Sequence, residues 1–387
     1  AIYQNTPEIA AEGLVQLEDT LGAVQLFYRD YEPLFTSGLK KGDTIKIRKP
    51  PVFIAQEFEG TVVHQEVKEQ LVDLKLEKHL DVTVDVTSRD LTLNLRDFNE
   101  QIAMPSVRAL ATKCENYLLS KYVGIAQFAG TTGTRWNSLA AIQRLNSMMT
   151  HRKLAIGNRF ALVDPFTAGD ILSSGDMVRA DAVGDGGTTL RDAVIGKKGG
   201  INWYTSEQLG VHTYGGATNG TIKGGKVQSA LVAGATTMTL FDTTFSGSLK
   251  IGDLFTVAGS VDSRGVPNQY AVTTAVTAAG NAAIVQFYPA LPAAVLANTI
   301  VTFVDSSPIG IGGDRRGLAY AIVAPEAPIG DALPAATINY RGIGIRVVFG
   351  YNTETKMNTV SFDCLVGGAV IQPELLFRLI GDPTLAV

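Results

Sequence analysis

The chain contains 387 residues, of which 45% are hydrophobic and 18% are charged. At roughly 150 residues per domain, this length predicts two or three domains that each bury a core. The 33 basic and 37 acidic residues leave a net charge of −4, which argues against the basic surface on which most nucleic-acid-binding proteins depend. No segment approaches the roughly 20 consecutive apolar residues of a membrane span, and the first residues lack the pattern of a secretion signal. We therefore expect a soluble protein made in a cytoplasm.

The N-terminal segment has the pattern of one amphipathic helix. Thr6 and Pro7 form a helix-start signal, because a threonine hydroxyl can cap a helix and proline suits the first helical position. The apolar positions that follow have helical spacing, and they are Ile9, Leu14, Leu17, Leu21 and Val24. A short helix of this kind is marginal in isolation, so we expect it to dock on another surface.

The next segment alternates apolar and polar residues. Over residues 44–49 isoleucines alternate with basic side chains, and Pro50 and Pro51 end that strand. The alternation resumes over residues 74–77 and 81–86, which predicts long strands with one exposed face. Exposed edges of such strands must be covered. Because a ribbon this long cannot easily bury both edges inside its own subunit, other copies of the chain are the expected partners.

Two helices and a buried strand follow. Residues 105–126 predict a helix of about 30 Å, whose apolar positions are Val107, Leu110, Ala111, Cys114, Tyr117, Leu118 and Tyr122. Its polar face carries Arg108, Lys113, Glu115 and Lys121. A second helix is predicted over residues 138–152. Residues 160–163 predict a buried strand, after which Asp164 and Pro165 begin a helix that extends to Leu172.

Residues 220–304 differ in composition from the rest of the chain. Charged residues are scarce there, and short runs of Thr, Val, Ala and Phe recur between Gly and Asn turns. Short strands at such regular spacing indicate a small barrel or sandwich inserted into the body. After this region, residues 318–324 predict a strand, and residues 343–351 and 359–366 predict a hairpin, beyond which Pro373 is expected to stop the sheet.

The sequence contains no motif for phosphate binding or hydrolase chemistry. Glycines at residues 310–313 lack the third glycine and the helix of a dinucleotide-binding loop. Cys114 and Cys364 are too few for a disulfide scaffold or a four-ligand zinc site, so we expect two buried thiols. The histidines share no metal-ligand spacing and are expected as scattered surface side chains: His64, His79, His151 and His212. We predict no catalytic, cofactor-binding or metal site.

Two interpretations are open for one pair of adjacent arginines. Arg315 and Arg316 follow Asp314 and could bind an anion, or could pair with carboxylates of a neighbouring subunit. We favour the second interpretation. The acidic residues within 66–77 interleave with lysines, as expected of a solvated strand face or an inter-subunit ribbon.

The order of these elements resembles that of the major capsid (coat) proteins of tailed bacteriophages with the Hong Kong 97-like fold. The branch it resembles is that of the short-tailed Salmonella phage coat protein, which has an inserted β-barrel domain. The likeness rests on the arm, loop, ribbon and spine-helix order, on Asp164-Pro165 after a strand, on the glycine-rich residues 196–204, on Gly252-Asp253 before one strand and on Phe287-Tyr288-Pro289 at the end of another.

This resemblance implies an α+β fold with six parts. They are an N-terminal arm (1–41), an extended loop and β-ribbon (42–80), peripheral-domain strands and spine helix (81–135), a first part of the axial domain (136–219), an inserted β-barrel domain (220–304) and the remainder of the axial and peripheral domains (305–387). No lysine or asparagine can be assigned to the covalent crosslink that some relatives make.

The resemblance also implies a function. The protein would be a structural protein of the virion and not an enzyme, assembling in the bacterial host cytoplasm into pentamers and hexamers of an icosahedral shell around double-stranded DNA. Scaffolding and portal proteins are the implied assembly partners, with a decoration protein as a further one, and Ile9, Leu14 and Leu17 are the candidate switching arm. The alternatives are a nanocompartment shell that encloses cargo enzymes, a β-rich phage tail or adhesin protein, and, third, an enzyme.

Overall fold

The computed structural model describes residues 6–29, 44–49, 64, 70–87, 99–175, 189, 192–326, 335–340 and 343–383. The chain divides into two compact units. Unit 1 comprises Ala1–Leu118 and Leu318–Gln372, and unit 2 comprises Leu119–Gly317 and Pro373–Val387. Within the described ranges, no helix is both long enough and apolar enough to cross a membrane.

The described residues form four α-helices and 22 strands. The helices are α1 (Thr6–Thr20), α2 (Met104–Leu119), α3 (Leu139–His151) and α4 (Pro165–Leu172). The strands before the barrel are β1 (Thr44–Lys49), β2 (Gln70–Thr87), β3 (Phe128–Gly130), β4 (Arg159–Val163), β5 (Lys197–Lys198), β6 (Ile201–Thr205) and β7 (Val211–His212).

The remaining strands belong to the barrel region or follow it. They are β8 (Gly224–Val227), β9 (Thr237–Phe241), β10 (Ser248–Leu249), β11 (Leu254–Val261), β12 (Pro267–Val272), β13 (Val276–Thr277), β14 (Ala282–Tyr288), β15 (Ile300–Phe303), β16 (Ser307–Pro308), β17 (Gly310–Asp314), β18 (Leu318–Val323), β19 (Ala335–Tyr340), β20 (Ile343–Asn352), β21 (Met357–Val370) and β22 (Leu376–Ile380).

Unit 1 is built on an antiparallel sheet in the order β1-β2-β21-β20-β19, with β18 also paired to β21. The sequence predicted separate strands in the ribbon, but β2 is one strand of 18 residues. Its apolar side chains recur at alternate residues on both sides of Lys78, which interrupts the pattern. A register shift between Leu76 and Lys78 absorbs one extra residue. Residues 70–75 pair with β1 and residues 76–87 pair with β21, so pairing inside the unit uses much of the edge that was expected to meet other copies.

Helix α1 packs against β19 and β20 of the same unit. Leu14, Leu17 and Leu21 are buried, and Ile9 is partly buried. The predicted stripe is therefore confirmed, and the helix does dock, as its short length requires. It docks on its own chain in this structure, and the role of Ile9, Leu14 and Leu17 as a switching arm stays a prediction.

Helix α2 has the predicted buried stripe but ends earlier than predicted. Its last turn tightens into a 3₁₀ segment, Ser120–Gly124, a common way for a helix to end because it satisfies carbonyls that lack an i+4 partner. Glu115 was expected on the polar face and is buried. Cys114 and Cys364 are free, buried thiols, as predicted.

Unit 2 contains a mixed sheet in the order β3-β22-β17-β4-β6-β5. Two of its pairings are parallel, β22 with β3 and β4 with β6. Both predicted helices pack on it: Ser138 caps α3 by accepting from the Ala141 amide, and Asp164 caps α4 by accepting from the amides of Phe166 and Thr167. Strand β22 was not predicted.

A closed barrel occupies the predicted insertion, with strand order β11-β12-β14-β9-β8-β15. The sequence left a barrel and a sandwich open, and the structure has the barrel. Four aromatic side chains fill its centre, with ring centroids 5.1 to 5.8 Å from neighbouring rings: Phe255, Tyr270, Phe287 and Phe303. Such offset and edge-to-face contacts stabilise a core beyond the area they bury.

Candidate functional site

Three polar side chains form a buried hydrogen-bonded chain in unit 2. His212 Nδ1 lies 2.8 Å from the Tyr122 hydroxyl, and His212 Nε2 lies 2.9 Å from Asp253 Oδ1. His212 is 7% exposed and Asp253 is 1% exposed. The expectation that all histidines lie at the surface is therefore wrong for His212, which ends the short strand β7 and faces inward.

The Asp253 carboxylate collects further donors at the start of the barrel. Its Oδ2 accepts from the amides of Lys250 at 2.8 Å and Gly215 at 3.2 Å. Because a carboxylate oxygen accepts hydrogen bonds, we assign the donor role toward Asp253 to His212 Nε2, and His212 Nδ1 then accepts the hydrogen bond from the Tyr122 hydroxyl. Each polar group in the chain has a partner, which is what burial of polar groups demands.

Arg378 supplies a buried positive charge beside this chain. It lies in the middle of β22, is 2% exposed and donates through Nη1 to the Gly252 carbonyl. Its guanidinium carbon lies 4.9 Å from the centroid of the Tyr122 ring, a cation–π contact. Burial lowers the pKa of Arg378 to about 10, opposed by Tyr122 and Asp253, so the side chain remains a cation at neutral pH.

These residues join the mixed sheet to the barrel. Arg378 comes from the sheet, His212 and Gly215 come from the segment that leads into the barrel, and Gly252 and Asp253 form the turn before β11. We call Tyr122, His212, Gly252, Asp253 and Arg378 the barrel anchor. The Gly252-Asp253 pair, which carried part of the resemblance in the sequence, forms the centre of this anchor.

Gly252 is required at its position for two reasons. Its φ of +88° is a conformation that favours glycine, and a Cβ there would lie 2.9 Å from Val123 Cγ1. The backbone of the turn therefore lies close to the segment after α2.

Three further polar contacts hold the barrel to the rest of unit 2. The Gln269 side chain accepts from the Phe128 amide and donates to the Phe128 carbonyl, both at 2.8 Å. The Tyr288 hydroxyl donates to Glu374 at 2.9 Å.

His151 Nε2 at the end of α3 lies 2.5 Å from Asp262 Oδ2 in the β11–β12 turn. The hydrogen bond with His151, followed by backbone donors, lowers the pKa of Asp262 to about 2.

We interpret the barrel anchor as a structural contact and not as a reactive site. Tyr122, His212 and Asp253 have the order of a nucleophile, base and orienting acid. However, burial, more than any other cause, raises the pKa of Tyr122, which keeps its reactive phenolate scarce. Among the described residues no group of three or more His, Cys, Asp and Glu could hold a metal ion.

The other sequence candidates lie apart from the anchor. Residues 310–313 belong to the buried strand β17 and not to a loop. Arg316 forms a two-point ion pair with Asp314 of its own chain, at 3.1 and 3.0 Å, and its pairing with a neighbouring subunit stays a prediction. The pairing of Arg315 with a neighbouring subunit also stays a prediction. Burial opposes the ionisation of Asp314, but the bonds from Arg316 outweigh it and lower its pKa.

The last candidates belong to unit 1. His79 bonds to Asp363 at 2.9 Å, and Arg346 pairs with the same carboxylate. His64 is exposed. Of the acidic residues within 66–77, those at positions 66 and 69 lie outside the described residues.

Sequence reasoning missed Arg378 and Gln269 entirely. Arg378 interrupts the apolar run Leu-Phe-Arg-Leu-Ile, and a single arginine in such a run is a signal of a paired buried charge. Gln269 has no comparable signal, because a glutamine in a barrel strand looks like any outward-facing polar residue.

No protein-family model matches this chain, and no curated protein does so either. Among solved structures, it is similar to one from Mycobacterium phage Che8, with 13% identity over 92% of this chain and 89% of that chain and a TM-score of 0.47. It is also similar to the capsid of the cyanophage P-SCSP1u, with 10% identity over 88% of this chain and 84% of that one and a TM-score of 0.44.

A third similar structure is the asymmetric unit of the mature capsid of bacteriophage PhiM1, with 10% identity over 88% of this chain and 82% of that one and a TM-score of 0.46. Because all three TM-scores are below 0.5, we base the functional proposal on the residues and contacts of the chain itself.

Proposed function

We propose that this chain is the major capsid protein of a tailed bacteriophage, which assembles into pentamers and hexamers of an icosahedral shell around double-stranded DNA. The observation that carries the proposal is the closed barrel within residues 224–303, which is joined to a mixed sheet by a buried anchor. The element order of the sequence resembles a coat-protein branch with a barrel inserted at this place.

The barrel anchor supports a mechanical role. A shell subunit needs surfaces that close with rotational symmetry and does not need an active site. A module held by Arg378, Asp253 and His212 resists displacement, because separating it would leave buried charged and polar groups without partners. The barrel anchor is therefore suited to a domain that transmits mechanical force between subunits.

Exposed apolar side chains on the outside of the barrel also support the proposal. Phe241 on β9, Ile284 on β14 and Ile300 on β15 are 39%, 63% and 45% exposed. Strands β14 and β9 are paired, and β15 lies beyond β8 from β9. Exposed apolar groups of this kind are frequent where one protein contacts another. In the proposed shell they face another copy of the chain, and many weak contacts of this kind add up through effective concentration.

The remaining parts of the proposal follow from the shell. Scaffolding and portal proteins would guide assembly in the bacterial cytoplasm, a decoration protein would bind the finished surface, and the protein would end in the virion. The acidic balance of 33 basic to 37 acidic residues suits an inner wall that does not hold the packaged DNA tightly.

Electron microscopy of the expressed protein, alone and with the scaffolding protein of its phage, tests the proposal. Hollow icosahedral particles are expected. Monodisperse monomers under both conditions would contradict it, and so would tubes or fibres, which a tail protein would form. Particles that carry enzymes from the host instead of DNA would favour the nanocompartment shell.

A further inference from the structure

The chain has two cysteines, and the fold places their sulfurs side by side. Cys114 lies on α2 and Cys364 lies on β21, 250 positions apart in the sequence, and their Sγ atoms are 3.5 Å apart. Both side chains are 0% exposed, and both belong to unit 1. The proposed shell function makes no use of this pair.

The geometry is close to that of a covalent bond. A disulfide requires an S–S separation of about 2.05 Å, so these sulfurs would have to approach by roughly 1.5 Å. Two thiols already in contact can therefore be linked without bringing distant parts of the chain together.

The surroundings keep the pair reduced and slow to react. The hydrogen bond with Cys114 and burial, in that order, raise the pKa of the Cys364 thiol well above its ordinary value. The thiolate is the reactive form, so a raised pKa and a buried site both slow attack by an oxidant. Oxidation then depends on transient opening of α2 from the sheet.

We propose that Cys114 and Cys364 are a latent disulfide that forms when the protein meets a hydroperoxide outside a reducing cytoplasm. In the first step one thiolate attacks hydrogen peroxide, which leaves a sulfenic acid on that cysteine and releases hydroxide. In the second step the other thiol displaces the sulfenic oxygen, forming the S–S bond and releasing water. In sum, two thiols and one hydrogen peroxide give one disulfide and two waters.

The bond would tie α2 to a central strand of the unit 1 sheet. It would close a loop that spans most of the chain, and long loops restrict the unfolded state most. The oxidised protein should therefore unfold at a higher temperature than the reduced protein. This inference concerns the chemistry of the single chain and holds whether or not the chain forms a shell.

The test uses the reduced full-length protein, treated with hydrogen peroxide under native conditions. The protein is then denatured, its remaining thiols are alkylated and its peptides are mapped without reduction. The expected result is one linked pair of peptides containing Cys114 and Cys364, with a monomer on a non-reducing gel. We also expect a rise of roughly 5 °C in the unfolding midpoint that dithiothreitol reverses.

Peptide mapping of the wild-type protein alone decides the outcome, so the result does not depend on whether a cysteine variant folds. Full alkylation of both thiols after peroxide treatment would overturn it, as would oxidation to sulfinic acid without a link, or dimers linked between chains. The Cys114→Ala variant serves as the control. It retains Cys364, cannot form the internal bond, and should show no midpoint shift on oxidation.

Discussion

The side chain of Gln269 pairs with the backbone of Phe128 as another strand would, accepting from its amide and donating to its carbonyl, both at 2.8 Å. One side chain on the barrel thus satisfies both main-chain groups of Phe128, the first residue of β3. Nothing in the sequence marks Gln269 for this role. Replacing it tests whether the contact between the barrel and the mixed sheet contributes to stability.

Replacing Gln269 by leucine should destabilise unit 2 by about 1–3 kcal/mol, because the Phe128 amide and carbonyl each lose a partner. Urea unfolding at neutral pH measures the change. Gln269→Glu is the matched comparison: it keeps an acceptor for the amide but loses the donor to the carbonyl. If the leucine variant is as stable as wild type, water replaces the side chain and the contact is dispensable.

Gly252→Ala should lower the stability of the fold more than Gly265→Ala does, although both glycines have positive φ. Gly265 has φ +78° with nothing within 4 Å of a Cβ, so alanine there meets only the backbone cost of about 1–2 kcal/mol. At Gly252 the new methyl also lies 2.9 Å from Val123 Cγ1. Thermal unfolding of the two variants compares them directly, and equal losses would mean that Val123 moves freely.

Removing the charge of Arg378 should destabilise unit 2. Arg378→Met keeps a long unbranched side chain but leaves the Gly252 carbonyl without its donor, and a buried acceptor left unsatisfied costs about 1–3 kcal/mol. Arg264→Met, at an exposed position of the β11–β12 turn, is the control and should change stability by less than about 0.5 kcal/mol. Chemical denaturation measures both, and similar values for the two would refute the anchor.

Asp262 should make stability depend on pH in the acid range. Its pKa is lowered from 3.8 to about 2, first by the hydrogen bond with His151. Because this carboxyl has a lower pKa in the folded protein than in the unfolded chain, its ionised form stabilises the fold at pH values above the pKa of the unfolded chain. This stabilisation is lost as the pH falls through the pKa of the folded protein. The stability difference between wild type and Asp262→Asn should therefore be constant above about pH 5 and shrink from about pH 4 towards pH 2. A difference that does not change from pH 5 to pH 3 would exclude this contribution.

Local patterns predicted the regular elements well. The stripe of α1, the cap Asp164 and the alternation in β1 depend on neighbours within a few residues, and all appear in the structure. Short, evenly spaced strands predicted the barrel. The six domain boundaries stay predictions.

The misses involve contacts between distant parts of the chain. Strand β22 was hidden by Arg378, whose partners Gly252 and Tyr122 lie far away in sequence. The sequence left the docking surface of helix α1 open, because an amphipathic pattern shows that a helix docks but not on what. The surface of β19 and β20 that receives it can be recognised only after the sheet has formed.

The barrel begins and ends at the same place. Its first strand, β8, pairs with its last, β15, so that Gly224 lies opposite Thr302, and before them β7 pairs with β16, placing His212 opposite Ser307. Opposite residues of antiparallel strands are separated by only about 5 Å. An ancestor could therefore have gained the whole module as one insertion in a short loop without moving either flank. Arg378 of the mixed sheet binds a carbonyl of the turn before β11, so removal of the barrel would leave this buried arginine without that partner.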